Sequence, residues 1–436
     1  MAKISKISGF PEWLPEQKLV EESVVSKIRT VYERFGFTPI ETPAVELLST
    51  LGSKGVIDKE IFTVKRLRAE DDAEAELGLH FDLTVPFARY VAQHAHALTF
   101  PFKRYQLQKV WRGDRPQKGR FREFYQFDVD VIARDSLPLS CDAEVISVIG
   151  LAMKGLALGA FTIRLNSRKV LSALYEGIGL SSEQIKSSIV AVDKLNKIGE
   201  GGVREELAKL GSLTSQQIDT IINSTTIKCS AEELRSKIGS LGVTSDLLSA
   251  GIKELEEIVA LLSEEITPYI LIDVSLARGL DYYSGVIIET VFNDYPEFGT
   301  VAAGGRYDDL ASEFTNEKLP GVGASIGLSR VMELAFSNGL VAANKRSPSE
   351  VLVAVYSEGD RVACNKLADR FRAAGKNTEV FFKSPKLGKQ IEYAEAKGMR
   401  YVVFYDASTQ EIQIKDLVTK EQLKIESVEK WAEGVK

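Results

Sequence analysis

The sequence predicts an α+β protein: an antiparallel sheet that carries the chemistry, a helical insertion that interrupts it, and a smaller α/β unit at the C-terminal end. Three observations predict this. Residues 102–133, FKRYQLQKVWRGDRPQKGRFREFYQFDVDVIA, read as two long strands joined by a basic loop. Residues 164–265 change character, with Leu, Ile, Ser, Lys and Glu in helical patterns and few aromatics. After the polar stretch SNGLVAANKRSPSE, strand-like and helix-like segments alternate, which predicts a small unit with a mainly parallel sheet. The boundaries follow as 1–165 for the first part of the sheet domain, 166–265 for the insertion, 266–345 for the second part, and 346–436 for the C-terminal unit.

The elements are justified in order. Residues 15–35 read as an amphipathic helix, with Leu19, Val24, Val25, Ile28 and Val31 at mostly three- and four-residue spacing and Gly36 ending it. FTPIETPAVE is extended, because Pro39 and Pro43 each restrict the residue before them. Residues 61–64 form a short strand, and the acidic run 70–76 a solvated loop. LGLHFDLTVPFARYVAQH gives a strand, a turn at Asp82–Thr84 and a helix from Pro86. Asp82 and Thr84 either cap that helix or bind an ammonium group. Residues 141–158 read as a helix opened by Asp142 and Glu144. The sheet resumes at 269–274 and continues through LARGLDYYSGVIIETVF, GTVAAGGRYDDL and GVGASIGLSRVMEL, each with glycine where a ligand needs close backbone approach.

Composition excludes several classes. The chain has 436 residues, 44% hydrophobic and 27% charged, as in a water-soluble globular protein of two or three domains. Cys141, Cys229 and Cys364 are far apart with no CxxC, which argues against a disulfide framework or a cysteine-ligated zinc. The N-terminal residues lack a signal-like apolar core, and the most apolar run, 145–161, is broken by Ser147, Lys154 and three glycines. A cytoplasmic protein without a membrane span is expected. Gly321, Gly323 and Gly327 miss the dinucleotide spacing by one residue, and no Walker-type loop is present.

The basic loop is the focus. Lys103, Arg104, Lys109, Arg112, Arg115, Lys118, Arg120 and Arg122 make eight cations over twenty residues, opposed only by Asp114, in a chain of net charge −6. An edge hairpin guarded by cations is one reading. Arginines outnumber lysines five to three, however, and Arg suits bidentate phosphate or carboxylate contacts. On the following strand Gln126, Asp128 and Asp130 share one face, with Phe127, Val129 and Val131 on the other. Cations beside carboxylates suit a substrate with both an anionic phosphate and a cationic or hydrogen-bonding group.

Taken together, these stretches resemble the histidyl-tRNA synthetase family, class II aminoacyl-tRNA synthetases, over essentially the whole chain. WRGDRPQKGRFREFYQ is similar to the class's second motif, GVGASIGLSRVMEL to its third, and TPAVE to the weaker first motif at the dimer interface. LARGLDYYSG and AAGGRYD resemble stretches peculiar to the histidine enzymes. The resemblance implies a class II synthetase-like catalytic domain with a helical insertion and a C-terminal anticodon-binding domain. It implies a homodimer whose substrates are ATP with Mg²⁺, L-histidine and tRNA(His). By resemblance, Arg112 contacts the α-phosphate and the histidine carboxylate, Arg120 and Arg330 the γ-phosphate, and Arg278 the reacting centre. Asp82, Leu83, Thr84 and Gln126 belong around the α-ammonium, and Asp130, Tyr282 and Tyr283 at the imidazole side. Two departures stand out: His80 replaces an expected arginine, and Asp82 and Asp130 are aspartates rather than glutamates. Two other readings remain open, a synthetase-like regulatory subunit of a phosphoribosyltransferase and an RNA-binding module without turnover.

Overall fold

The computed structural model describes residues 5–52, 60–67, 75–277 and 283–435. Among them the chain forms two compact units, residues 1–11 with 26–340 and residues 12–25 with 341–436. The first is built on a nine-stranded sheet. From one edge the order is Thr38–Pro39, Phe102–Trp111, Glu123–Ile132, Gly321–Gly327, Thr300–Tyr307, Val286–Phe292, Phe161–Ser167, Ile270–Asp273 and Lys228–Cys229. The stretch from Phe102–Trp111 to Phe161–Ser167 is antiparallel throughout. Parallel pairings flank it, Thr38 with Arg104 on one side and Ile163 with Ile270 on the other.

The core lies on one face of this sheet. Phe127, Val129 and Val131 are at most 1% exposed, and the Tyr32 ring of the Pro15–Arg34 helix sits 5.0 Å from the Phe127 ring. The helix Leu139–Leu156 brings Val145, Ile146, Val148 and Ile149 into the apolar interior. Its first turn is tied to the sheet by a buried pair: Arg306 donates through Nε to Asp142 Oδ1 at 3.1 Å and through Nη2 to the Leu137 carbonyl at 2.9 Å.

The insertion is helical where its caps say so. Ser181 and Gln184 bond each other's backbone N–H reciprocally, as do Thr214 and Gln217, and each pair opens a helix, Ser182–Asp193 and Ser215–Thr225. Two strands interrupt the expectation of an all-helical stretch from residue 164. Phe161–Ser167 is an interior strand of the sheet, so the boundary at 165 falls inside it. Phe161, Ile163 and Leu165 alternate with polar residues and are buried, a period-two signal that outweighs the helical composition downstream. Lys228–Cys229 adds a short edge.

Smaller corrections follow the same logic. The helix after the DLT turn begins at Thr84 rather than Pro86, and the next long helix spans Leu139–Leu156 rather than 141–158. The TPAVE segment ends in a strand, Val45–Leu47, of a separate three-stranded sheet with Leu77–Leu79 and Thr63–Val64. Most of the acidic run at 70–76 lies outside the described residues.

The second unit carries a five-stranded sheet in the order Thr378–Val380, Val351–Val353, Tyr401–Asp406, Glu411–Asp416, Gln422–Ile425. It is not mainly parallel: the first two pairings are parallel and the last two antiparallel. The reason is connection length. Residues 407–410 join two strands as a tight turn, with Asp406 Oδ1 accepting from the Ser408 N–H at 2.8 Å, too short for a crossover.

Candidate active site

The strand Glu123–Ile132 places the site. Register sets Gln126, Asp128 and Asp130 opposite Gln108, Gln106 and Arg104 on one neighbour. On the other neighbour they face Gly327, Ser325 and Gly323. The face opposite the core is therefore polar across three adjacent strands. A Cβ on Gly323 would stand 1.8 Å from Asp130 Oδ1, and one on Gly304 would stand 2.1 Å from the Gly323 carbonyl. These glycines let a carboxylate lie directly on the neighbouring strand. Above them is a pocket of about 270 Å³.

At its inner end three carboxylates meet one fully buried guanidinium. Arg104 is 0% exposed, with Nη2 2.7 Å from Asp130 Oδ2 and 3.6 Å from Asp128 Oδ2. It lies 4.1 Å from the Phe87 ring centroid, and Nη1 donates to Gln106 Oε1 at 3.1 Å. Tyr307 OH donates to Asp130 Oδ1 at 2.7 Å. Burial pushes the Asp128 carboxyl up to about 7; Arg104 and Ser325 pull it back, while Asp130 and Asp82 add to the rise. Burial also raises Asp130 against Arg104 and Tyr307, and raises Asp82 against Arg112. The Tyr307 hydroxyl is held well above its ordinary value by burial and by the Asp130 charge.

The outer end is cationic. Arg112 donates from Nε to the Phe81 carbonyl at 2.9 Å and lies 5.3 Å from the Phe124 ring. Gln117 and Arg120 exchange backbone hydrogen bonds of 3.1 and 2.9 Å, closing the loop around Gly119, whose φ of +68° suits glycine. Arg330, in the first turn of the helix Leu328–Ser337, donates from Nε to the Gly119 carbonyl at 2.8 Å and from Nη1 to the Thr300 carbonyl. The basic loop and the last sheet helix are thus fixed to each other.

Of the residues singled out in sequence, Asp82, Thr84, Arg112, Arg120, Gln126, Asp130, Tyr283 and Arg330 line this one pocket. Leu83 does not; it is fully buried at the start of the Thr84–His94 helix. Arg278 and Tyr282 lie outside the described residues. Asp82 does cap that helix, accepting from the Val85 N–H at 3.2 Å, and still lines the pocket. Sequence reasoning missed Arg104, Tyr307 and Ser325, and gave Asp128 a face but no place in the site. Arg104 was one cation of eight, and only the cross-strand register reveals it as the partner of Asp130. His80 is a core residue, bonded through Nε2 to the Lys109 carbonyl at 2.7 Å, and burial lowers its pKa. Among the described residues no group of three or more His, Cys, Asp or Glu has metal-binding geometry, and no helix is long and apolar enough to cross a membrane.

With this geometry in view, comparisons with known proteins agree. A family model described as histidyl-tRNA synthetase matches residues 9–331, and one described as an anticodon binding domain matches residues 350–434. The chain is 46% identical over 421 residues to the histidine–tRNA ligase of Thermobifida fusca, covering 96% of this chain and 95% of the relative. It is 40% identical over 437 residues to that of Micrococcus luteus, covering 97% and 95%. Among solved structures, histidyl-tRNA synthetase from Nostoc sp. PCC 7120 superposes with a TM-score of 0.88 at 36% identity, over 100% of this chain and 99% of that one.

Proposed function

The chain belongs to the histidyl-tRNA synthetase family and is a histidine–tRNA ligase, and from that premise we propose how its pocket carries the first half-reaction. The observation that carries the reading is the polarity of the pocket. Arg112, Arg120 and Arg330, with Asp114 among them, line one end, and Asp128 and Asp130, paired with the buried Arg104, line the other, with Asp82 facing both Arg112 and Arg104. A nucleoside triphosphate fits the first end and an amino acid bearing an ammonium and an imidazole fits the second.

The histidine carboxylate attacks the α-phosphorus of ATP. A bond forms from carboxylate oxygen to phosphorus, and the bond to the β-phosphate bridging oxygen breaks, releasing pyrophosphate. The nucleophile is already an anion, so no general base is needed. Arg112 holds the α-phosphate and the carboxylate together, Arg120 and Arg330 take the γ-phosphate, and Arg278 neutralises charge developing at phosphorus. Asp82, Leu83, Thr84 and Gln126 surround the α-ammonium, Leu83 through its backbone; Asp130, Tyr282 and Tyr283 form the imidazole end. Mg²⁺ would enter with ATP as part of the substrate and would offset phosphate charge there. A terminal ribose hydroxyl of tRNA(His) then attacks the histidyl carbonyl and AMP departs.

In the second unit, Tyr356 and Phe382 are exposed on loops that follow the parallel strands, with Lys383 Nζ 5.7 Å from the Phe382 ring. Aromatic faces beside a cation suit unstacked anticodon bases. Residues 346–436 are read as the anticodon-binding domain, 166–265 as the insertion, and 1–165 with 266–345 as the catalytic domain. The exposed Val45, Leu47 and Leu77 of the small sheet support a homodimer joined there. We place the protein in the cytoplasm, where its substrate tRNA is charged.

The test is ATP–pyrophosphate exchange with each amino acid in the absence of tRNA. Exchange with histidine alone is expected. No exchange with any amino acid would favour a regulatory subunit instead.

A further inference from the structure

We propose that the N-terminal turn at residues 7–10 is a positioning element for the basic loop: the Gly9 carbonyl holds the loop's returning stem so that Arg120 meets the γ-phosphate of ATP. The proposal rests on the reading of the arginine end of the pocket as the triphosphate site, and it assigns what keeps that end in place. Charge works against the loop's shape. Residues 112–122 carry five cations, Arg112, Arg115, Lys118, Arg120 and Arg122, and like charges so close together repel. Within the loop, the Arg112 N–H donates to the Arg122 carbonyl at 2.9 Å at the base, and Gln117 and Arg120 close the tip.

Segments from three other parts of the chain hold it. At the tip, Arg330 donates to the Gly119 carbonyl. On the outgoing stem, the Gly113 N–H donates to the Glu60 carbonyl at 2.8 Å, and a Cβ on Gly113 would stand 3.3 Å from that same backbone. On the returning stem, the N–H groups of Arg122 and Glu123 both donate to the Gly9 carbonyl, at 2.7 and 3.2 Å. One oxygen thus fixes the two residues through which the loop passes into the strand Glu123–Ile132.

The local sequence explains why that oxygen points there. The Phe10 N–H donates to the Ile7 carbonyl at 3.2 Å, closing a four-residue turn in which Gly9 takes a φ of +85°. A type II turn demands a positive φ at its third residue, and glycine adopts it at no steric cost. Space demands glycine a second time, since a Cβ there would stand 2.9 Å from both Arg122 Cγ and Pro116 Cγ. Phe10 docks the turn, its ring meeting that of Phe62 edge-on at 6.4 Å. Arg122 in turn donates from Nε to the Asp114 carbonyl at 3.1 Å, so a displacement of Arg122 is carried across to the other stem. Arg120 is two residues from the clamped Arg122 and moves with it.

Gly9→Ala in the full chain is the test, with Phe10→Ala as a second variant that loosens the same turn without adding bulk. Each is expected to lower kcat/KM for ATP in pyrophosphate exchange by about tenfold or more, chiefly through KM, because a misplacement of about 1 Å can cost about 10²-fold. The Kd for histidine in calorimetry is expected to stay unchanged. A role confined to stability would not weaken ATP and spare histidine. Arg120→Ala completes a cycle: if the turn acts through Arg120, adding Gly9→Ala to Arg120→Ala costs little more, whereas independent effects multiply. Should Gly9→Ala fail to fold in a thermal melt, Phe10→Ala decides in its place. Unchanged kcat/KM for ATP in the folded variants, an equal loss of histidine affinity, or multiplying effects with Arg120→Ala each overturns the proposal. If Arg120→Ala by itself leaves KM for ATP unchanged, the reading of the triphosphate end has failed; if it raises KM while the turn variants do not, only this assignment has.

Discussion

Gly323→Ala tests the packing on which the site depends. The added carbon would fall 1.8 Å from Asp130 Oδ1 and 2.9 Å from the Val129 carbonyl. Ordinary contact between such atoms is about 3.5 Å, so the carboxylate must move by well over an ångström. Such a shift breaks the Tyr307 hydrogen bond and displaces Asp130 from Arg104. A hydrogen bond to a charged group is worth about 1.5–3 kcal/mol, and overpacking adds about 1–3 kcal/mol. The overpacking shows as lost stability, and the lost hydrogen bond alone is expected to lower kcat/KM for histidine by roughly 10- to 10²-fold. Pyrophosphate exchange at varied histidine, with a urea melt alongside, measures both consequences. Gly155→Ala is the matched control: the same change in the Leu139–Leu156 helix, where an added Cβ meets nothing within 4 Å. There alanine should stabilise by about 1 kcal/mol and leave exchange untouched. Near-normal histidine kinetics in Gly323→Ala would refute the idea that Asp130 must lie flat on that strand.

Three further outcomes are expected. Gln126→Ala weakens histidine binding by about 1–3 kcal/mol, and an unchanged Kd in calorimetry would remove it from the ammonium site. Arg278→Ala lowers the rate of adenylate formation by roughly 10²–10³ while histidine and ATP binding stay measurable; single-turnover kinetics decides, and normal turnover excludes it from the reacting centre. Asp142→Asn removes the closer of the two carboxylates paired with buried Arg306, leaving Asp308 at 3.6 Å, and should cost about 2–3 kcal/mol in urea unfolding, below the range for a wholly unpaired buried charge. A loss below about 1 kcal/mol would show that the pair is not what anchors the Leu139–Leu156 helix to the sheet.

Legibility in the sequence followed physical range. Local periodicity located the long hairpin, its two faces and the pocket-lining Gln126 and Asp130, because alternation is written in neighbouring residues. The helical insertion announced itself through Leu, Ile, Ser, Lys and Glu in helical patterns, and the structure adds the caps that open its helices, such as Ser181 with Gln184. What sequence left hidden depends on pairing between distant segments. Arg104 looks like any surface cation until register sets it against Asp130, and Arg306 resembles a surface residue until the Leu139–Leu156 helix brings Asp142 to it. Phe161–Ser167 was obscured by the helical composition that follows it. The antiparallel half of the C-terminal sheet was legible in principle, since the connection at 407–410 has room only for a hairpin.

The two-faced strand Glu123–Ile132 has a consequence for how this enzyme can change. One side of it is the hydrophobic interior and the other is the wall that meets substrate, at strictly alternating positions. Inserting or deleting a single residue there would send Asp128 and Asp130 into the interior and Phe127 and Val129 into the pocket. No graded series of intermediates connects one register to the other. Substrate preference along this strand can therefore be altered only by replacement in place, and selection for folding alone would preserve the spacing of the residues that face histidine.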